Sequence, residues 1–388
     1  MGDTQEPHII AVGEASEWQE ATVFHDGDSF FDALEAALDQ AKVSIDMEFY
    51  IFESDRTGYR IFRALVRAAQ RRVAVRLMVD GIGSVSFSRT FREAAIRAGV
   101  AVKVFHELPW RIVRGDPKEK RFRFRKLLRR MNNRNHRKVC VVDGAVAFVG
   151  SMNVVDYHLP SLFKELAWRD TGIRVRGLDV AVLVQSFDDA WQGRLSRLKR
   201  RLRRKAQLVS TLVRLNVSGR QRRESHLDLL VRIVGAQRRV WITNAYFVPD
   251  GSLLRVLAVV GRENVDVRVL VPGFSDVVFI PWVASALHLG LLRAGVRVFE
   301  YQRSVLHAKT MLIDDWGLIG SSNLNHRSLL HDLEADLVVP NENVRRSMED
   351  QFLRDLEGAK EVTLENWRNR PLLERLIGRV LLWMRYLL

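Results

Sequence analysis

The 388 residues, 47% hydrophobic and 28% charged, have the composition of a globular protein long enough for two domains, each burying its own core. A net charge of +15 implies an anionic partner, nucleic acid or the anionic face of a membrane, and charge alone does not choose between them. The lone Cys140 excludes an internal disulfide and a cysteine-rich metal site. No apolar run of about 18 residues reads as a transmembrane helix, and the first residues show no secretory signal, so the body is expected on the cytoplasmic side.

Taken in order, the predicted elements occur twice. Residues 32–50, DALEAALDQAKVSIDMEFY, run from an apolar-periodic helix into a strand ending at Tyr50. VRLMVD (75–80) reads as a central strand, and AGVAVKVF (98–105) as a helix end at Gly99 followed by a strand. A basic segment then carries KEKRFRFRKLLRRMNNRN, and HRKVCVVD (136–143), GSMN (150–153) and WRDTGIRVRG with Asp170 follow. A dense basic stretch, 193–223, reads as a helix plus linker. The series restarts with DLLVRIVGAQRRVWITNAY (228–246), VRVLVP (267–272) and AGVRVFEY (294–301), then HAKTMLID (307–314), GSSN (320–323) and LEADLVVPNE with Glu334. The early pairs are offset by 228 − 32 = 196 residues and HxKxxxxD by 307 − 136 = 171, so the first half holds a 25-residue insertion between Phe105 and His136. Alternating helix and strand patterns predict α/β layers with a sheet covered on both faces. The C-terminal RPLLERLIGRVLLWMRYLL, with Arg375, Arg379 and Arg385 among leucines, reads as an interfacial amphipathic helix.

If HxKxxxxD is a strand, His136 and Lys138 share one face, as do His307 and Lys309. Each half then offers a nucleophile or acid–base group beside a phosphate-binding cation. Asp143 and Asp314 fall beyond the apolar middle of the strand, where bracing the site is favoured over attack. One such histidine alone would more often be a satisfied core residue; duplication of the whole constellation makes that reading poor. His158, His288, His326 and His331 have no duplicated counterpart and are read as structural or surface residues.

HxKxxxxD followed by GSxN in each half resembles the phospholipase D superfamily, from about residue 20 to about 360. NAYFVPD (244–250), FEYQRSVLHAK (299–309), IGSSNLNHRS (319–328) and WRDTGIRVRG (168–177) make the chain similar to bacterial cardiolipin synthases of the short, peripheral type. Two departures stand out. Five residues separate Asp314 from Gly320, where six separate Asp143 from Gly150, and the N-terminal membrane-spanning pair frequent in the family has no counterpart here.

The resemblance implies two fused phospholipase D-like αβα sandwich halves related by a pseudo-two-fold axis, with the active site at their interface. The expected division is a first half over 1–192 with its insertion at about 106–135, a basic helix and linker over 193–224, a second half over 225–365, and an amphipathic membrane-interface segment over 366–388. The implied catalytic set is His136, Lys138, Asp143, His307, Lys309 and Asp314. Asn153 and Asn323 join the lysines in holding the non-bridging phosphate oxygens, and Asp170 and Glu334 become partners of the imidazole N–H groups. Ser151 and Ser321 either serve the turn or touch phosphate. No metal or cofactor is expected, because the lysines neutralise the growing charge.

The implied reaction moves a phosphatidyl group from phosphatidylglycerol to a second phospholipid hydroxyl through a phosphohistidine. The family favours His136 as nucleophile and His307 as acid and base; the residues themselves leave the reverse open. Alternatives are a phospholipase D that releases phosphatidic acid, a phosphodiesterase or nuclease, and a non-catalytic membrane-binding protein. Arginines interleaved with Phe122, Phe124, Leu127, Leu128 and Met131, and the apolar C terminus, favour an anionic phospholipid membrane at the cytoplasmic face over nucleic acid.

Overall fold

The computed structural model describes residues 9–11, 17–87, 89–107, 133–193, 207–277 and 279–382. The strands of the first half are β1 (Ile9–Ala11), β2 (Glu20–Phe24), β3 (Ser44–Phe49), β4 (Ala74–Asp80), β5 (Ala101–Phe105), β6 (Val139–Val142), β7 (Val146–Gly150) and β8 (Gly172–Arg176). Those of the second are β9 (Gln207–Val209), β10 (Val213–Leu215), β11 (Arg239–Asn244), β12 (Asp266–Pro272), β13 (Arg297–Tyr301), β14 (Lys309–Ile313), β15 (Trp316–Gly320), β16 (Ala335–Val339) and β17 (Ala359–Val362). One sheet has the order β2-β8-β7-β6-β3-β4-β5, and the other β10-β16-β15-β14-β11-β12-β13-β17. Strand for strand the second repeats the first, with β17 added at its edge.

Local chemistry builds both copies alike. The helix Gly27–Gln40 starts at Asp26, whose carboxylate accepts the Ser29 N–H at 2.8 Å, and it buries Phe30, Phe31, Leu34 and Leu38 along one stripe. In the second half Ser218 caps the helix Gly219–Val234 in the same way. Gly99 and Gly295, at φ of 88° and 83°, terminate helices before β5 and β13, a left-handed geometry that glycine adopts without strain. Strands β3, β4 and β5 run parallel, as do β11, β12 and β13, so helices must cross over between them.

Alternation along the strands decides which core each side chain joins. Cys140 and Val142 face the outer helices of the first half, whereas Val139 and Val141 face inward. That inner cluster also takes Leu312, Ile319 and Leu337 from the second sheet, with Leu183 and Phe352 from the inward-lying helices Val180–Trp191 and Glu342–Glu357. The two halves therefore share one continuous core.

The structure modifies two expectations. Within 193–224, read as helix and linker, β10 pairs antiparallel with β16, so the second sheet begins before residue 225; three residues among arginines were too short to read as a strand. β9 pairs in parallel with β1. Residues 194–206 lie outside the described residues, as do 108–132, which hold most of the insertion, and 383–388. The motif histidines lie just before their strands rather than within them, since β6 starts at Val139 and β14 at Lys309. Their backbone N–H groups are engaged by the opposite half. The shorter second hairpin is absorbed in its turn, with Ile313 pairing Trp316 across two residues where Val142 pairs Val146 across three.

Candidate active site

The halves interlock by backbone before any side chain meets. His136 N–H donates to Leu333 O at 3.0 Å and Leu333 N–H to Arg134 O at 2.9 Å; by the pseudo-dyad, His307 N–H donates to Arg169 O and Arg169 N–H to Val305 O, both at 2.8 Å. Leu333 and Arg169 immediately precede Glu334 and Asp170. Each carboxylate is thus delivered to the histidine of the other half: His136 Nδ1 lies 3.0 Å from Glu334 Oε2, and His307 Nδ1 lies 2.8 Å from Asp170 Oδ2. These bonds leave Nε2 of each ring as the nitrogen free for chemistry.

Lys138 Nζ donates to His136 O at 2.7 Å and stands 5.4 Å from the Tyr50 ring centroid. Lys309 Nζ donates to His307 O at 2.5 Å and stands 5.9 Å from the Tyr246 ring centroid. Tyr50 also packs on His136, ring centroids 4.9 Å apart, and Tyr246 approaches His307 edge-on while its hydroxyl donates to Asp276 at 2.8 Å. Ser151 Oγ donates to Asp170 Oδ1, and Ser321 Oγ to Glu334 Oε2 at 2.5 Å, so both serines serve the carboxylates. Asn153 Oδ1 accepts the Ile51 N–H at 3.2 Å, leaving Nδ2–H to donate; Asn323 Oδ1 is buried with no protein partner.

Asp143 and Asp314 stand apart from this cluster. Seven residues of extended chain, roughly 20 Å, separate each from its histidine. Asp143 sits at φ of 52° in the β6–β7 turn, where its carboxylate accepts the N–H groups of Lys42, Val43 and Ser44. Asp314, at φ of 47°, does the same for Gln237, Arg238 and Arg239. Each ties a hairpin to the start of a central strand.

Burial governs the electrostatics. Burial drives Lys138 down to about 7 and Lys309 to about 8, with Glu334 and Asp170 respectively working to keep the charge. His136 is pushed well below its ordinary range by burial, then by Lys138, with Lys309 and His307 adding to it. His307 is lowered by burial and Lys309 but partly restored by Asp170. The carboxylates diverge. Burial opposes the charge on Asp170, yet His307 and its hydrogen bond hold that group well below the usual range, whereas burial raises Glu334 despite Lys138. One imidazole therefore pairs with a firmly ionised carboxylate and the other with a carboxylate drawn toward neutrality.

Four residues of this cluster escaped the sequence reading. Tyr50 and Tyr246 were visible as a duplicated pair at the 196-residue offset without a role. His158, read as structural or surface, is fully buried, with Nε2 accepting the Asn153 N–H at 3.1 Å and Nδ1 3.5 Å from Asp170 Oδ2. Ser328 takes the same place in the second half. The offset of GSMN to GSSN, 320 − 150 = 170, carried five residues past the asparagines, pairs 158 with 328 and was the available signal.

The sequence matches the family described as cardiolipin synthase, PLD-like domain, over residues 34–169 and 229–356. It is 32% identical over 367 residues to a cardiolipin synthase of Clostridium perfringens (strain SM101 / Type A), covering 91% of this chain and 74% of that one. A cardiolipin synthase A of Pseudomonas putida is 32% identical over 358 residues, covering 91% and 72%. Among solved structures, phosphatidylserine synthase of Haemophilus influenzae Rd KW20 superposes with a TM-score of 0.72 at 14% identity over 96% of both chains. Polyphosphate kinase of Porphyromonas gingivalis superposes with a TM-score of 0.58 at 12% identity, over 87% of this chain and 50% of that one. The chain is a member of the cardiolipin synthase, phospholipase D-like family.

Proposed function

We propose that the chain is a phosphatidyltransferase that makes cardiolipin, with phosphatidylglycerol as donor and a second phospholipid hydroxyl as acceptor. The observation that carries the reading is the crossed pairing of His136 with Glu334 and His307 with Asp170, because it offers two imidazoles in unlike environments to one phosphorus. Neutral His136 attacks phosphorus through Nε2, and the bond to the glycerol oxygen breaks as His307, an imidazolium backed by ionised Asp170, protonates that oxygen. His307 then removes the proton of the incoming hydroxyl. The new P–O bond forms as the P–N bond breaks, and His136 leaves neutral. Lys138, Lys309 and the amides of Asn153 and Asn323 hold the non-bridging oxygens as their charge grows. Asp143 and Asp314 act on the scaffold.

Membrane contact at the cytoplasmic face belongs to the same proposal. Within 366–388 the helix Leu372–Leu381 packs so closely on Ile280–Arg293 that a Cβ at Gly378 would lie 2.3 Å from Trp282 O. Its outer side presents Leu372, Leu373, Leu376 and Val380, 59–77% exposed, in a chain of strong positive charge. Among the described residues no helix is long and apolar enough to cross a membrane.

Purified protein incubated with phosphatidylglycerol vesicles provides the test. Diphosphatidylglycerol with released glycerol is expected, abolished by His136→Ala and by His307→Ala. Phosphatidic acid alone would mean a hydrolase, cleavage of nucleic acid a nuclease, and no turnover would sink the enzymatic reading.

A further inference from the structure

The two halves use different residues for one task. Between the Asn153 N–H and the Asp170 carboxylate stands His158; between the Asn323 N–H and the Glu334 carboxylate stands Ser328, whose Oγ accepts the N–H at 3.2 Å and donates to Glu334 Oε1 at 2.7 Å. A long side chain meets the short carboxylate, and a short side chain meets the carboxylate that is one methylene, about 1.5 Å, longer.

We propose that His158 is a positioning residue for the transfer reaction, forming with Asp170 a length-matched pair equivalent to Ser328–Glu334, and so fixing the carboxylate that orients His307. The inference rests on the phosphatidyl-transfer reading. Because Nε2 is occupied as an acceptor, the ring proton of neutral His158 resides on Nδ1, which lies buried 3.5 Å from Asp170 Oδ2, the oxygen bonded to His307, close enough to act on it electrostatically although Nδ1 completes no hydrogen bond of its own among the described residues. Protonating Nε2 would forfeit the Asn153 bond, so the ring is held neutral with its one proton on the side of Asp170. Burial holds it down to about 4, against the pull of Asp170, in accord with that geometry. Trp168 closes the other side, edge-on to His158 at 5.7 Å and 5.6 Å from His307. Asp170 Oδ1 meanwhile takes the Ser151 hydroxyl and the Thr171 N–H, so both carboxylate oxygens are held while His307 cycles between charge states.

A double-mutant cycle on glycerol release from phosphatidylglycerol vesicles tests the pairing, with wild-type turnover as the control for the transfer reading itself. His158→Ser and Asp170→Glu should each lower kcat about 10- to 100-fold with KM little changed, the range typical of groups that orient a functional imidazole. The double variant, which installs the Ser–Glu pair in the first half, should recover at least about tenfold over either single change. A double variant as impaired as the product of the two losses, or a His158→Ser enzyme with wild-type kcat, overturns the proposal. Should the serine variant not fold, His158→Gln and His158→Leu fill the space, and only glutamine keeps an acceptor and a donor. Glutamine is expected to exceed leucine in kcat at least tenfold, roughly the cost of one lost orienting bond, and equal activity refutes the assignment. Wild-type protein without turnover would instead refute the transfer reading.

Discussion

Asp170→Asn and Glu334→Gln remove formally identical charges, yet their environments predict unequal losses. At 2.8 Å, the Asp170–His307 separation, unit charges attract by roughly 6 kcal/mol at an effective dielectric near 20. An asparagine can also turn its NH₂ toward Nδ1 and enforce the wrong tautomer, a change that costs about 10⁴-fold in a serine protease triad. Part of the attraction already exists in the ground state, so a fall of about 10³- to 10⁴-fold in kcat, roughly 4–5.5 kcal/mol, is expected. Glu334 is already drawn toward neutrality by burial, and a glutamine oxygen can accept from His136 and Ser321 as the carboxylate does. About 10- to 100-fold is expected there. The assay is initial-rate glycerol release at saturating phosphatidylglycerol, with thermal melting to confirm folding. Equal losses, or a larger loss for Glu334→Gln, would refute the assignment of His307 as the group that carries charge through the cycle.

Asp143→Ala should act on stability and leave kcat of the folded fraction near wild type, because it deletes the acceptor of three backbone N–H groups at a left-handed turn; about 2 kcal/mol in urea unfolding is expected, and a selective loss of kcat contradicts the scaffold role. Soluble glycerophosphoglycerol should bind less tightly as pH rises from about 7. The sign follows from Lys138 and Lys309, which are cationic below about 7 and about 8 and neutral above, while the ligand keeps one negative charge; calorimetry showing constant affinity between about pH 6 and 9 would contradict it. Leu372→Ser with Leu376→Ser, on the exposed side of the last helix, should reduce co-sedimentation with anionic vesicles at moderate salt about tenfold or more, as two buried leucines would require. Unchanged binding would move the membrane contact elsewhere.

The duplication made much of this protein legible along the chain. Two HxKxxxxD and GSxN sets, at offsets of 171 and 170 residues, fixed the halves, the cationic partners and the two histidines, because local spacing determines which residues share a strand end. The turns at Gly99 and Gly295 and the helix-to-strand runs ending at Tyr50 and Tyr246 were equally local, each set by a few neighbouring residues. β10 was not legible, because three residues acquire strand character only when β16 pairs with them. Nor was the role of His158, whose partners Asn153 and Asp170 converge only after the intervening short helices fold back. Above all, the crossing of Asp170 to His307 and of Glu334 to His136 belongs to tertiary structure. A carboxylate's place in the sequence states its chemistry, but which imidazole it meets, and how far burial lets it stay charged, is decided where the two halves dock and the segments flanking their strands exchange backbone hydrogen bonds across the shared axis.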